Sequence, residues 1–343
     1  MNFEGLFLMV TKFAILLVLA ATVACVCPTP SANAAGASGS ANTPVMPSFP
    51  SGKETDVKFY APGNNIETGR DALERMSGAD LVLWLAGNQF FAMDRVITAF
   101  QKINPTVTVG LITLPPGLLL QAIQSGGWVF EGKQFRRTPD IYASVNLGHL
   151  KTLKASGGMN SFMTYMHNEL QIMVAKGNPK KIKVIDDLGR VDVRTSMPNP
   201  VNEGIMQFYA RKVLEQHGIW NTISAGKECV SCQTTPNNWF TAVHHRETPE
   251  RIKAGTSDAG LVWKTEILES LRTGANVEAV ELQPVDSLRG EVSYVIGSLT
   301  NAKNVNAANL YLQFLSSAEG QRAYAMYGFV EATDEELKLR PID

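Results

Sequence analysis

The sequence predicts an α/β fold built on a largely parallel sheet. Two observations carry the prediction. Short apolar runs such as Leu81–Ala86, Val107–Leu114 and Asp140–Ser144 alternate with amphipathic segments of ten or so residues, the rhythm of strand–helix units. Gly, Pro and Asn clusters punctuate the junctions (Gly87-Asn88-Gln89, Pro115-Pro116-Gly117, Gly126-Gly127), where the chain must turn.

The beginning of the chain reads differently. Lys12 precedes an apolar run, Phe13–Cys25, shorter than the ~20 residues of a membrane span. Ala32-Asn33-Ala34 fits a small-residue cleavage pattern, so residues 1–34 are expected to be an export signal and the protein periplasmic. Lipid anchoring at Cys25 is the weaker alternative, because Thr22 poorly fits the start of that motif. Residues 35–78 are expected to be a flexible leader, rich in Ala, Ser, Gly and Pro through Lys53, and then an extension. In the extension Val57–Tyr60 reads as a strand and Ile66–Met76 as a short helix.

From Asp80 the elements follow in order. The run Leu81–Ala86 looks like a buried parallel strand, apolar without alternation because helices cover both faces. Phe91–Ile103 is an amphipathic helix ending before Pro105, and Leu118–Gln124 a helix stopped by two glycines. Glu169–Ala175, Asp192–Thr195, Val277–Leu282 and Val292–Ser298 read as further strands. Asn202–Gln216, Ala307–Leu315 and Ala318–Met326 read as helices. Between them, Asn237–Glu266 holds a loop, a short helix and an apolar strand ending at Trp263. Thr248 fits a helix N-cap and Pro249 a first helical position. His244-His245-Arg246 would then sit beside outward-pointing backbone N–H groups, which is either an anion site or an exposed polar loop.

Composition narrows the chemistry. The formal net charge is −1 and no basic face is evident, so nucleic acid is not an expected partner. Beyond the export signal two cysteines remain, Cys229 and Cys232. In an oxidising compartment a disulfide is the first expectation, and a metal or metalloid site with His244 or His245 the second. No nucleophile triad, phosphate loop, haem motif or metalloprotease motif is present. No enzyme activity and no cofactor are therefore expected. His149, His167 and His217 are scattered and read as surface or interface histidines.

Five short motifs carry a resemblance. In order they are Lys176-Gly177-Asn178-Pro179, Asn199-Pro200 with Gly204, Asp258–Trp263, Ala318-Glu319-Gly320-Gln321 and Tyr327-Gly328-Phe329. Together they resemble the periplasmic solute-binding proteins of ABC importers, type II, in their molybdate-binding branch. The resemblance implies two lobes, each a mixed sheet flanked by helices, with a ligand cleft between them. Lobe one would comprise residues 79–166 and 286–332, and lobe two residues 167–285. A C-terminal tail would follow at 333–343. It implies a monomer that hands a small inorganic anion or metal-centred ligand to a membrane permease. A sensor that presents its closed form to a membrane kinase is the alternative.

It also implies where the ligand sits: Gly87, Asn88 and Gln89 after strand one, and Pro116 and Gly117 after strand two. Asn202, Glu203 and Gly204 would meet it from a helix start, and His244, His245 and Arg246 from the later loop, with Trp263 beside them. Asn88 and Pro116 stand where small hydroxyl residues are usual, and Trp263 where tyrosine is usual. Glu203 at a helix start repels an anion, so Glu203, His244 and His245 are also candidates for holding a metal.

Overall fold

The computed structural model describes residues 43–46, 56–63, 65–242 and 247–343. A nine-stranded sheet takes strands from both ends of this range. It contains β1 (Val57–Ala61), β2 (Asn65–Thr68), β3 (Leu81–Ala86) and β4 (Val109–Leu114). A hairpin of β5 (Trp128–Phe130) and β6 (Lys133–Phe135) stands apart. The large sheet continues with β7 (Ile141–Ser144) and β8 (Ser161–His167). A second, six-stranded sheet is built from β9 (Leu170–Ala175), β10 (Thr195–Met197), β11 (Cys232–Gln233), β12 (Asn238–Phe240), β13 (Ala259–Trp263) and β14 (Val277–Val280). The chain then returns to the large sheet as β15 (Ser293–Ser298), β16 (Val330–Glu331) and β17 (Arg340–Pro341).

The large sheet runs β16-β8-β15-β7-β3-β4-β1-β2, with β17 also on β8. Its centre is parallel, β3 pairing in register with β4 and β7. Both faces of β3 are covered. Leu81, Leu83 and Leu85 pack with Val96, Phe100 and Phe314 on one side. Val82 and Trp84 pack with Leu119, Leu150 and Trp128 on the other. This is why the strand is apolar without alternation.

In the second sheet β10 lies parallel between β12 and β13, while β9 runs antiparallel between β13 and β14. The chain passes between the sheets twice, through Asn168-Glu169 and through the segment from Glu281 to Val292. None of the described helices is long and apolar enough to cross a membrane.

Several expectations are corrected. The leader is not wholly flexible: Met46 is buried and its N–H donates to Val129 O. The extension adds two strands to the large sheet, because β1 pairs with β4 along Val57–Tyr60 and with β2, and the helix expected at Ile66–Met76 begins only at Gly69. The strand expected at Asp192–Thr195 begins at Thr195, since its buried positions include Thr195 and Ser196 and give no apolar run. Thr248 is not an N-cap. It lies inside the helix Glu247–Lys253, and its hydroxyl donates to Ser196 O. The export signal lies outside the described residues.

Candidate functional site

Parallel strands aim their C-terminal ends in one direction, and ligands of open α/β sheets bind beyond those ends. In the large sheet these ends are Ala86, Leu114 and Ser144. In the second they are Met197, Phe240 and Trp263. The loops that follow meet face to face. A Cβ on Gly117 would stand 3.1 Å from Asn202 O, and one on Gly204 would stand 2.6 Å from Val145 Cγ2 and 3.0 Å from Pro116 Cγ. Backbone approach this close requires glycine. Tyr209 Oη donates to Val145 O at 2.6 Å, and the His149 ring lies edge-on to Phe208 at 4.9 Å. The seam between the sheets is therefore closed along 116–117 and 145–149 on one side and 202–209 on the other.

The second-sheet side is shaped by Asn199 and by a widened helical turn. Asn199 Oδ1 accepts from the N–H groups of Val201 and Asn202, and its Nδ2 donates to Ala242 O at 3.2 Å. That side chain fixes the loop before the helix, as turn-forming asparagines do. Gly204 and Ile205 begin the helix, and Met206–Ala210 form a π-helical segment before Arg211–Gln216 resume the α form. Such a bulge is frequent at functional sites. Glu203 is only 1% exposed and stands at this seam.

The sequence profile of the bacterial extracellular solute-binding proteins matches residues 81–330. The chain belongs to that family. Among solved structures it is similar to the periplasmic molybdate-binding protein of Azotobacter vinelandii, at 14% identity and a TM-score of 0.56, over 74% of this chain and 100% of that one. It is similar to the sulfate-binding protein SubI of Mycobacterium tuberculosis, at 17% identity and 0.54, over 75% and 88%. A substrate-binding protein of an Agrobacterium tumefaciens ABC transporter gives 16% and 0.57, over 78% and 80%. No curated protein matches the sequence. These likenesses establish the two-lobed α/β fold of periplasmic binding proteins.

In this solute-binding protein the candidate residues fall into four groups. Pro116, Gly117, Asn202, Glu203 and Gly204 are brought together at the seam. Gly87, Asn88 and Gln89 follow β3 and are buried. Asn88 Nδ2 donates to Tyr294 Oη, and Gln89 Oε1 accepts from Tyr165 Oη at 2.8 Å and Tyr324 Oη at 3.0 Å. Trp263 is buried between the rings of Tyr209 and Tyr294, at 5.7 and 6.0 Å. His244, His245 and Arg246 lie outside the described residues. Among the described residues no three His, Cys, Asp or Glu side chains cluster as metal ligands do.

Cys229 and Cys232 are joined as a disulfide on the edge of the second sheet. Within that ring, Ser231 N–H donates to Thr241 O.

Sequence reasoning overlooked the loop after β7. Ser144 Oγ lies 2.9 Å from His149 Nδ1, and Asn146 caps the next helix by accepting from Gly148 N–H. The signal was present, an asparagine directly after an apolar strand. Burial holds the His149 pKa down at about 4, against a hydrogen bond to Gln207 that raises it. The ring is therefore neutral, and one nitrogen is free to accept a hydroxyl hydrogen. Burial likewise pushes the Tyr294 hydroxyl well up, with the Asn168 and Asn88 amides acting in the opposite sense. It stays protonated.

Proposed function

We propose that the protein captures one small solute at the seam between its two sheets and delivers it to an ABC permease. The supporting observation is the meeting of both sets of parallel-strand ends, with Pro116 and Gly117 against Asn202 and Gly204. The contacts would come from Gly87–Gln89, Pro116-Gly117, Asn202–Gly204 and Trp263, and from His244–Arg246. The solute class is a tetrahedral oxyanion of the molybdate or sulfate kind, the ligands named for two proteins of like fold. Neutral N–H and hydroxyl donors suit such a guest.

Glu203 supports a second reading. A buried carboxylate at the seam disfavours a bare dianion and favours a guest that brings a metal centre or its own hydrogens.

A thermal-shift panel separates the two. Ligand that binds only the folded state raises the melting temperature by mass action, equivalent to about 2.7 kcal/mol at a hundred times Kd. Molybdate, tungstate, sulfate or phosphate should shift it under the first reading. Divalent cations or arsenite should do so under the second. No shift with any of them would remove inorganic solutes altogether.

A further inference from the structure

Three parts of the chain meet at one buried atom, the hydroxyl oxygen of Tyr294. Asn88, in the loop after β3, donates to it through Nδ2. Asn168, at the first passage between the sheets, donates to it at 3.2 Å. Tyr294 itself stands at the start of β15, just after the return passage, and Asn168 N–H bonds to Val292 O beside it. The same Asn168 amide donates to Thr265 Oγ1 at 3.0 Å, two residues beyond Trp263. Asn88, Asn168, Thr265 and Tyr294 are all buried.

The geometry points to Tyr294 as a positioning residue for solute capture. Its hydroxyl ties the loop 87–89 to both passages, so a solute seated against that loop biases the hinge toward the closed arrangement. This rests on the reading that loop 87–89 meets the solute. A ligand can shift a conformational equilibrium only through contacts that differ between the states. Hinges are a few residues at element ends, and here the first passage donates to an acceptor that stands two residues beyond the second. A phenol oxygen has room for two incoming donors, and these two amides fill it. In a dry interior such a network holds as a unit, and losing its centre strands both donors. The ring contributes packing separately, against Trp263 at 6.0 Å, Phe329 at 5.7 Å and Tyr165 at 6.4 Å. Tyr294→Phe keeps that packing and removes the hydroxyl alone.

The test uses the full chain, with molybdate as the probe and hydrogen exchange of the ligand-free protein as a second readout. In Tyr294→Phe we expect molybdate Kd to rise at least tenfold. Amide exchange should rise at least tenfold at both 87–90 and 168–170. If wild type binds molybdate and the variant binds it equally, with exchange unchanged, the inference fails while the proposed function stands. If wild type binds no molybdate, molybdate is not the solute and the exchange arm decides alone. A joint rise keeps the tie, and a rise confined to one segment overturns it. Should Tyr294→Phe not fold, Asn88→Ala replaces it. Faster exchange at 168–170, across the hydroxyl from the altered residue, supports the tie, and unchanged exchange there sinks it.

Discussion

In the large sheet β3 buries Leu81 through Ala86 without a break, whereas β10 of the second sheet buries Thr195 and Ser196 beside Met197. The first strand is held by apolar area on both faces. The second is held by side-chain hydrogen bonds: Thr195 Oγ1 donates to Asn238 Oδ1 at 2.7 Å, and Thr248 Oγ1 donates to Ser196 O. Apolar packing is non-directional and tolerant of small shifts, while buried hydrogen bonds fix position and are costly to leave unmade. The large sheet therefore acts as the stiff frame. The second sheet uses polar pins to set the loops that come to the seam, Asn199 among them.

The sharpest test of this contrast is a cavity in the frame. Trp84 is fully buried and packs against Trp128, ring centroids 5.1 Å apart and planes tilted by 49°. Trp84→Ala should cost about 3–5 kcal/mol of stability, read by denaturant unfolding. Solute affinity of the folded fraction should remain as in wild type. A loss below 1 kcal/mol would mean that the large sheet is not the main source of stability.

The two sides also differ in how they respond to acid. His149, on the large-sheet side of the seam, has its folded pKa lowered to about 4. Its unfolded form gains a proton as pH falls below ~6.5. Stability is thus lost between about pH 6.5 and 4, by about 3 kcal/mol in total. His217, at the end of the second-sheet helix, has its pKa raised, first by its hydrogen bond to Asp286 and also by Asp186. Its contribution is present below ~6.5 and lost as pH rises through the folded value. Melting curves from pH 4 to 9 should show His149→Gln flattening the acid side and His217→Asn lowering only the stability gained below neutrality. The same pH response in both variants would undo the distinction.

How much of this was legible in the sequence follows from the same contrast. β3, β4, β9, β13 and β15 were readable because apolar runs bounded by Gly, Pro and Asn have few other interpretations. β10 was displaced because a strand that buries Thr and Ser carries no hydrophobic period. β8 was missed altogether, and so was the β5–β6 hairpin, whose strands have three residues each. At the seam, the loops 115–117 and 202–204 could be named from the family resemblance. Tyr294 and Asn168 could not, because they bond across 126 positions of sequence. No local pattern announces a contact made only by folding.

The smallest expected effect is the one closest to function. Gly204 sits where a side-chain carbon would overlap Val145 and press on Pro116. Gly204→Ala adds that carbon to the second-sheet side of the seam, and little else in either sheet has to change. The opposing neighbours are a β-branched side chain and a proline ring, neither of which swings aside easily. The variant should therefore keep near-wild-type stability when the seam opens, and lose affinity because full closure is blocked. A tenfold rise in Kd, about 1.4 kcal/mol, measured by calorimetry with whichever solute shifts the wild-type melting, is the expected result. Gly117→Ala, which meets only the Asn202 carbonyl at 3.1 Å, should fall between this variant and wild type. If both alanines bind as tightly as wild type, the contact between 116–117 and 202–204 plays no part in holding the solute, and the seam must close elsewhere.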